Sequence, residues 1–515
     1  SSLQMVNKIM HFVIVTVVAL VLFFTLPISY FDYEQRAALS VTFIMIYLWI
    51  TEAIPIPLTS LLPIFLGLPL GLISVSGLFS SYFHNLIFLF LGGFILAKAL
   101  EKHALHIQIS RKIIALFGSN AKRIVLGFMT ATAFLSMWIS NTATVLMVLP
   151  MALSVLKALP KSQQIQKYGI ALLLSIAFAA NVGGTATIVG TPPNSLLIAN
   201  LQTLFNIDIG FFEWMLVGFP FAAVMLIIIY AVFYVLYLKK LDFEVVVAKP
   251  EPLTANQKRV LVIFAFVILA WMSRQLLDNV LPFKIKDAYI AIIGALILYV
   301  IPQKNHKFNM ISMLWIVFSL VVLGVCATTN LSSLLSEYSI SVLSIATVLS
   351  AILLLLPQVK EKALLQARDI KHISWGILLL FGGGMALASI LDGTGLVKKV
   401  IDEVDALGNI ELTTVFILIT AFALFATELM SNMALVTVLI PLVGQFALQN
   451  DFPLVQLTAA VALAASCAFM LPIATPPNAI VFSSGKIKIK DMMRIGVIIN
   501  IIAIAVILVM VRLIL

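Results

Sequence analysis

Phe134-Leu135-Ser136-Met137-Trp138-Ile139-Ser140-Asn141-Thr142-Ala143-Thr144-Val145 sets small hydroxyl and amide side chains between two apolar runs. A second version stands at Thr427-Glu428-Leu429-Met430-Ser431-Asn432-Met433-Ala434-Leu435-Val436. Upstream of each lies a glycine cluster, Leu91-Gly92-Gly93 and Gly382-Gly383-Gly384; Gly92 precedes Ser140 by 48 residues, and Gly383 precedes Ser431 by the same 48. Downstream of each lies another matched pair, Gly190-Thr191-Pro192-Pro193-Asn194 and Ala474-Thr475-Pro476-Pro477-Asn478. Three motifs in one order, twice, make an internal repeat. Within a membrane protein, such a repeat marks a transporter whose broken helices bear the site.

The membrane follows from composition. Of 515 residues, 62% are hydrophobic and only 10% charged, and the mean hydropathy is +1.13. A soluble chain of this length needs far more charge to cover its surface. The formal net charge of +10 reads as the excess of Lys and Arg that membrane proteins keep in cytoplasmic loops, not as a nucleic-acid surface. Cys326 and Cys467 lie inside apolar runs and read as packing residues, with no disulfide or metal framework.

The expected fold is an all-α polytopic membrane protein. Spans are expected at about 8–28, 38–54 and 58–74, the last two parted by Pro55 and Pro57, and a fourth from about His84 to Leu100 carries the first glycine cluster. His103 to Phe117 pairs Arg111 and Lys112 with an apolar stripe and reads as an interfacial helix. From Arg123 to about Leu159 two short apolar arms have basic residues at both feet and the Ser-Asn-Thr in the middle. That is the pattern of a re-entrant hairpin, whose irregular tip must face protein or a watery cavity. A broken helix follows at about 168–202, then a clean span at about 212–238. After a polar linker, spans are expected at about 259–277, 287–302, 309–327 and 338–357. The second half then repeats the plan: a glycine-cluster helix (about 373–396), a hairpin (412–448), a broken helix (455–483) and a last span (492–515).

With the N-terminus in the cytoplasm, this layout puts 25 of the 32 Lys and Arg residues inside, leaving 7 outside: Arg36, Arg274, Lys284, Lys286, Lys398, Lys399 and Arg512. The asymmetry favours that orientation, and the two hairpins then enter from opposite sides, as an inverted repeat requires.

The chain resembles the divalent anion/sodium symporter family, the INDY-like dicarboxylate transporters. The resemblance rests on Trp49-Ile50-Thr51-Glu52-Ala53-Ile54-Pro55, on the paired tips, on Gly190-Thr191-Pro192-Pro193-Asn194, and above all on the run from Cys467 to Phe482. It implies a homodimer in the plasma (inner) membrane, each protomer with a scaffold and an elevator-type transport domain. On this plan 1–122 holds scaffold helices and the interfacial helix, and 123–238 the first transport repeat. A cytoplasmic linker at 239–258, scaffold helices at 259–400 and the second transport repeat at 401–515 complete it. The scaffold stretch carries one more pair of spans than the family's plan, somewhere within 283–357.

The resemblance also implies a site. One Na+ would be held by Ser136, Ser140, Asn141 and Gly190; the other by Thr427, Met430, Asn432 and Ala474, with Met430 and Ala474 acting through carbonyls. Substrate carboxylates would contact Ser140, Asn141 and Thr142 on one tip and Ser431 and Asn432 on the other, with Thr191 and Thr475 at the broken helices. Met433 stands where the family often has threonine, which removes one hydroxyl.

The chemistry of the residues points the same way. A dicarboxylate leaving water needs equally polar partners, and helix N-termini offer free N–H groups and partial positive charge. No Lys or Arg lies near any of the four breaks, so the two negative charges call for mobile cations. Na+, which prefers oxygen, suits carbonyls and side-chain oxygens freed at the breaks.

Blander readings apply to some of these residues: the glycine clusters for close helix packing, the paired prolines for shaping the breaks, and Glu428 for a hydrogen-bonded structural role, with proton carriage as its alternative. No P-loop or His-Glu-x-x-His motif occurs, which argues against an ATP-driven pump and a metallohydrolase. Na+-coupled symport of C4/C5 dicarboxylates is therefore expected, and Na+-independent dicarboxylate exchange is the alternative. The expected partners are the dicarboxylate, membrane lipid and a second copy of the chain, with no nucleic acid; no enzymatic activity is expected.

Overall fold

The computed structural model describes residues 2–280, 284–304 and 363–515. The expected spans at 309–327 and 338–357, the additional pair within 283–357, and Cys326 and His306 with them, lie outside the described residues. The first half runs α1 (Ser2–Thr25), α2 (Tyr33–Thr51), α3 (Ile56–Thr59), α4 (Val75–Tyr82), α5 (Asn85–Lys102) and α6 (Leu105–Ala115). Next come α7 (Ala121–Ser136), α8 (Asn141–Lys157), α9 (Gln163–Gly184), α10 (Pro192–Phe205) and α11 (Phe211–Phe233). Beyond the linker lie α12 (Ala255–Val280), α13 (Asp287–Leu298), α14 (Trp375–Gly393) and α15 (Leu396–Asp405). The chain closes with α16 (Leu412–Ala426), α17 (Asn432–Gln449), α18 (Leu454–Ala465), α19 (Pro476–Phe482) and α20 (Ile489–Ile514). Eight helical stretches among the described residues are long and apolar enough to cross a membrane.

Two local expectations need correction. The stretch at 58–74 is not one continuous span: α3 stops at Thr59, a wide π-type turn covers Pro63–Gly67, and Gly71 turns the chain with φ +74°. Pro63 has no N–H to give and its ring clashes with the carbonyl one turn back, so the helix cannot run through. The linker also ends before residue 258. Gln257 N donates to Thr254 Oγ1 at 3.2 Å while Thr254 N donates to Gln257 Oε1 at 3.0 Å, a reciprocal cap that starts α12 at Ala255. The linker's first residues are held to the foot of α7, with Val245 N donating to Ser119 O at 2.8 Å and Ala121 N to Phe243 O at 3.0 Å.

The glycine clusters let helix backbones touch. A Cβ on Gly92 of α5 would lie 2.6 Å from the carbonyl carbon of Ala291 in α13, and one on Gly383 of α14 would lie 2.7 Å from the Cα of Ser60. Neither neighbour can move aside, because each is backbone. Both glycines are packing devices.

The elements from α7 to α11 recur in order as α16 to α20. Each hairpin has two helical arms and a short tip, 137–140 or 427–431, and each broken helix has a non-helical middle, 185–191 or 466–475. Pro150 in α8 and Pro441 in α17 each stand ten residues beyond their tip serine, inside the second arm. The two sets are interlocked: α10 packs on α17 and α18, while α19 packs on α8 and α9. Each broken helix thus lays its second piece on the other set's hairpin. That exchange is what brings all four breaks together.

Candidate substrate and ion site

The breaks surround a cavity of about 620 Å³, a size ordinary for small-molecule sites. Of the residues expected from sequence, Ser140, Asn141, Thr142, Gly190, Thr191, Met430, Ser431, Asn432, Ala474 and Thr475 line it. Ser136 and Thr427 do not reach its surface; both are fully buried beneath the tips. The first turns of α8, α10 and α17, and the short α19, open on the cavity. Among the described residues that line it there is no Lys, Arg or His.

Each tip is built alike. Ser140 caps α8, its Oγ accepting from Ala143 N at 3.2 Å, as expected of a serine at a helix start. Ser136 Oγ donates to Asn141 Oδ1 at 2.8 Å, and at the other tip Thr427 Oγ1 lies 2.5 Å from Asn432 Oδ1. Thr427 Oγ1 is also 2.9 Å from the carbonyl of Ala465. The buried hydroxyl therefore engages the asparagine oxygen, leaving the amide nitrogen without a protein partner among the described residues. Ser431 makes no side-chain cap on α17, and its hydroxyl has no hydrogen-bond partner among the described residues.

An oxygen-rich niche lies behind the first tip. A Cβ at Gly184 would sit 2.7 Å from Asn141 Oδ1 and 2.9 Å from Gly190 O. Only glycine leaves those two oxygens room to face one another. Ser136 Oγ completes a group of neutral oxygens of the kind an alkali cation takes. The second tip offers Asn432 Oδ1, Thr427 Oγ1 and the Ala465 carbonyl.

The Thr-Pro-Pro-Asn motifs share an architecture, in which the asparagines have a role that sequence reading left unassigned. Pro192-Pro193 and Pro476-Pro477 occupy the first positions of α10 and α19, where a missing N–H costs nothing. The asparagine that follows closes the break. Asn194 Nδ2 donates to the carbonyls of Thr185 (3.0 Å) and Thr187 (2.9 Å); Asn478 Nδ2 donates to those of Ala468 (2.8 Å) and Leu471 (3.1 Å). Each asparagine thus satisfies carbonyls that the unwound chain has freed.

The devices that fasten the breaks to the tips differ. In the first set, Thr187 Oγ1 donates to Met137 O at 2.6 Å and accepts from Gly190 N at 2.9 Å. In the second, Glu428 accepts from the backbone N–H groups of Phe469 (2.8 Å), Met470 (3.0 Å) and Leu471 (3.2 Å), and from Asn500 Nδ2 (2.9 Å). Four donors converging on one buried side chain are what a carboxylate needs. That contact set is the hydrogen-bonded structural role read from sequence.

Among the lining residues that sequence reasoning missed is Asn181. Its one signal was an amide in the apolar run directly before Gly183-Gly184.

The citrate transporter (CitMHS) family profile matches residues 46–452, a stretch that runs from the second helix through both tips and the first broken helix. The chain belongs to the citrate transporter family. The chain is similar to the sodium-dependent dicarboxylate transporter SdcS of Staphylococcus saprophyticus, 34% identical over 481 residues, covering 89% of this chain and 82% of the relative. SdcS of Staphylococcus aureus is 34% identical over 495 residues, covering 92% of this chain and 84% of that protein. Among solved structures, the Alcanivorax borkumensis YdaH transporter, whose topology is described as unusual, superposes with a TM-score of 0.53 at 12% identity, covering 94% of this chain and 98% of that one. The likeness to YdaH is one of fold. As a citrate transporter family member with many apolar helices, the chain is a multi-pass membrane transporter and not an enzyme.

Proposed function

We propose that this protein is a Na+-coupled symporter of C4/C5 dicarboxylates, of the succinate, malate, fumarate and 2-oxoglutarate class. One observation carries the reading. Helix starts and neutral donors converge on a cavity that no cationic side chain lines among the described residues, which suits a dianion only when cations enter with it. The relatives named as sodium-dependent dicarboxylate transporters support the same assignment.

On this reading Ser140, Asn141, Thr142, Ser431, Asn432, Thr191 and Thr475 hold the substrate. Ser136, Ser140, Asn141 and Gly190 hold one Na+; Thr427, Met430, Asn432 and Ala474 hold the other. Residues 123–238 and 401–515 form the moving part and 1–122 and 259–400 the scaffold, in an elevator cycle of a homodimer whose N-terminus is cytoplasmic. Interlocking of the two hairpin–broken-helix sets supports their moving as one body.

Uptake of labelled succinate, malate and 2-oxoglutarate into proteoliposomes tests it, with and without an inward Na+ gradient. Accumulation against a gradient only with Na+ is the expected result. Uptake that ignores Na+ and requires preloaded internal dicarboxylate would instead make the protein an exchanger.

A further inference from the structure

Among the described residues, Glu52 is the one charged side chain that lines the cavity. It stands at the C-terminal end of α2, on the wall contributed by Trp49, Ile50 and Ile56 and not by the tips. Its backbone is left-handed, with φ 49° and ψ 30°. That conformation ends α2, with Glu52 N donating to Leu48 O at 3.0 Å, and it is an ordinary way for a helix to stop. The carboxylate is exposed and makes no ion pair or side-chain hydrogen bond among the described residues.

The field in the cavity is therefore polarised. The starts of α8 and α17 line the cavity with backbone N–H groups. The carboxyl end of the 19-residue α2 lines the same cavity and adds its partial negative charge to that of Glu52. A dianion seated on the helix starts shares the cavity with a like charge. A cation entering first faces an opposite one.

We propose that Glu52 is a specificity-determining residue that sets both the sodium requirement and the ligand charge this site accepts. It acts through the field and not by contact. Its repulsion disfavours a carboxylate ligand while the sodium positions are empty, and it grows with each further negative charge on the ligand. Trianions are thus rejected more strongly than dianions. The inference rests on the dicarboxylate and Na+ reading above.

The test is equilibrium binding of succinate and of the trianion tricarballylate to purified protein in lipid nanodiscs. Na+ is held below saturation, and ionic strength is kept low with choline chloride. Wild type is compared with Glu52→Gln, which keeps the shape, with Glu52→Asn, which tolerates a left-handed backbone, and with Glu52→Asp, which keeps the charge. For charges separated by on the order of 8 Å of water, removing the charge should tighten succinate binding about threefold and tricarballylate about fivefold. Glu52→Asp should bind as wild type, and added choline chloride should erase the differences. A merely structural role would not scale with ligand charge or disappear with salt. Equal gains for both ligands, or none in folded Glu52→Gln and Glu52→Asn, overturn the proposal. Failure of wild type itself to bind any dicarboxylate in saturating Na+ would overturn the transport reading beneath it.

Discussion

Asn181 of α9 donates from Nδ2 to Thr475 Oγ1 at 3.1 Å, joining the first broken helix to the second. The same amide lies 3.2 Å from Asn478 Oδ1, and the group is buried. Thr475 Oγ1 also accepts from Asn478 N at 3.3 Å, so a single hydroxyl caps α19 and receives the link. The two breaks are therefore fixed relative to each other by side chains at the cavity edge.

Asn181→Ala should weaken dicarboxylate binding about tenfold while the protein remains folded. Removing one partner leaves buried acceptors unsatisfied, which costs about 1–3 kcal/mol, and the cost falls where Thr475 meets the ligand. Titration calorimetry in saturating Na+ checks it. Wild-type affinity would mean that the two breaks keep their spacing without this amide.

Glu428→Gln should lower thermal stability and weaken Na+ binding together. The substitution replaces one of the carboxylate oxygens, which between them take four donors, with an NH2 group that faces N–H groups. Hydrogen bonds to a charged group are worth about 1.5–3 kcal/mol each. The unwound segment 466–475 would lose its anchor, and Ala474 with it. A melting curve in detergent with and without Na+ reads both effects; an unchanged melting temperature and unchanged Na+ stabilisation would deny Glu428 this role.

How much of this was legible in the sequence depended on the kind of residue. The hairpins and broken helices were readable, because Ser-Asn-Thr, Gly-Gly and Thr-Pro-Pro-Asn interrupt long apolar runs and recur at matched positions. Glu428 was readable too, since a carboxylate in such a run must find donors. Asn181 was not, because its partners Thr475 and Asn478 lie almost three hundred residues away and no local pattern announces a contact at that distance. The stretch 58–74 misled for the opposite reason: its hydropathy suits a span, yet Pro63 and Gly71 break the backbone regardless of hydropathy.

Met433→Thr should tighten or redirect dicarboxylate binding. Met433 lines the cavity one residue beyond Asn432, with 4% of its surface exposed. A hydroxyl there could donate to a carboxylate, worth about 1.5–3 kcal/mol, which is tenfold or more in affinity. Competition of a panel of dicarboxylates against labelled succinate checks it, and an unchanged rank order and unchanged affinities would show that the position does not meet the ligand.

The Na+ requirement should be steep, and it should fail first at the buried hydroxyls. Ser136 and Thr427 touch no part of the cavity surface, but each engages the oxygen of a tip asparagine. Ser136→Ala and Thr427→Ala should therefore raise the Na+ concentration for half-maximal uptake while leaving the maximal rate near wild type. Asn141→Ala and Asn432→Ala remove the shared asparagine itself and should nearly abolish uptake. Linkage then fixes a relation between the two ligands: if Na+ raises succinate affinity by some factor, succinate must raise Na+ affinity by the same factor. Binding isotherms for each ligand at several fixed concentrations of the other measure both factors independently. In Ser136→Ala and Thr427→Ala the two should shrink together. If the maximal rate falls while the Na+ dependence is untouched, these hydroxyls serve the tips' folding and not the ion.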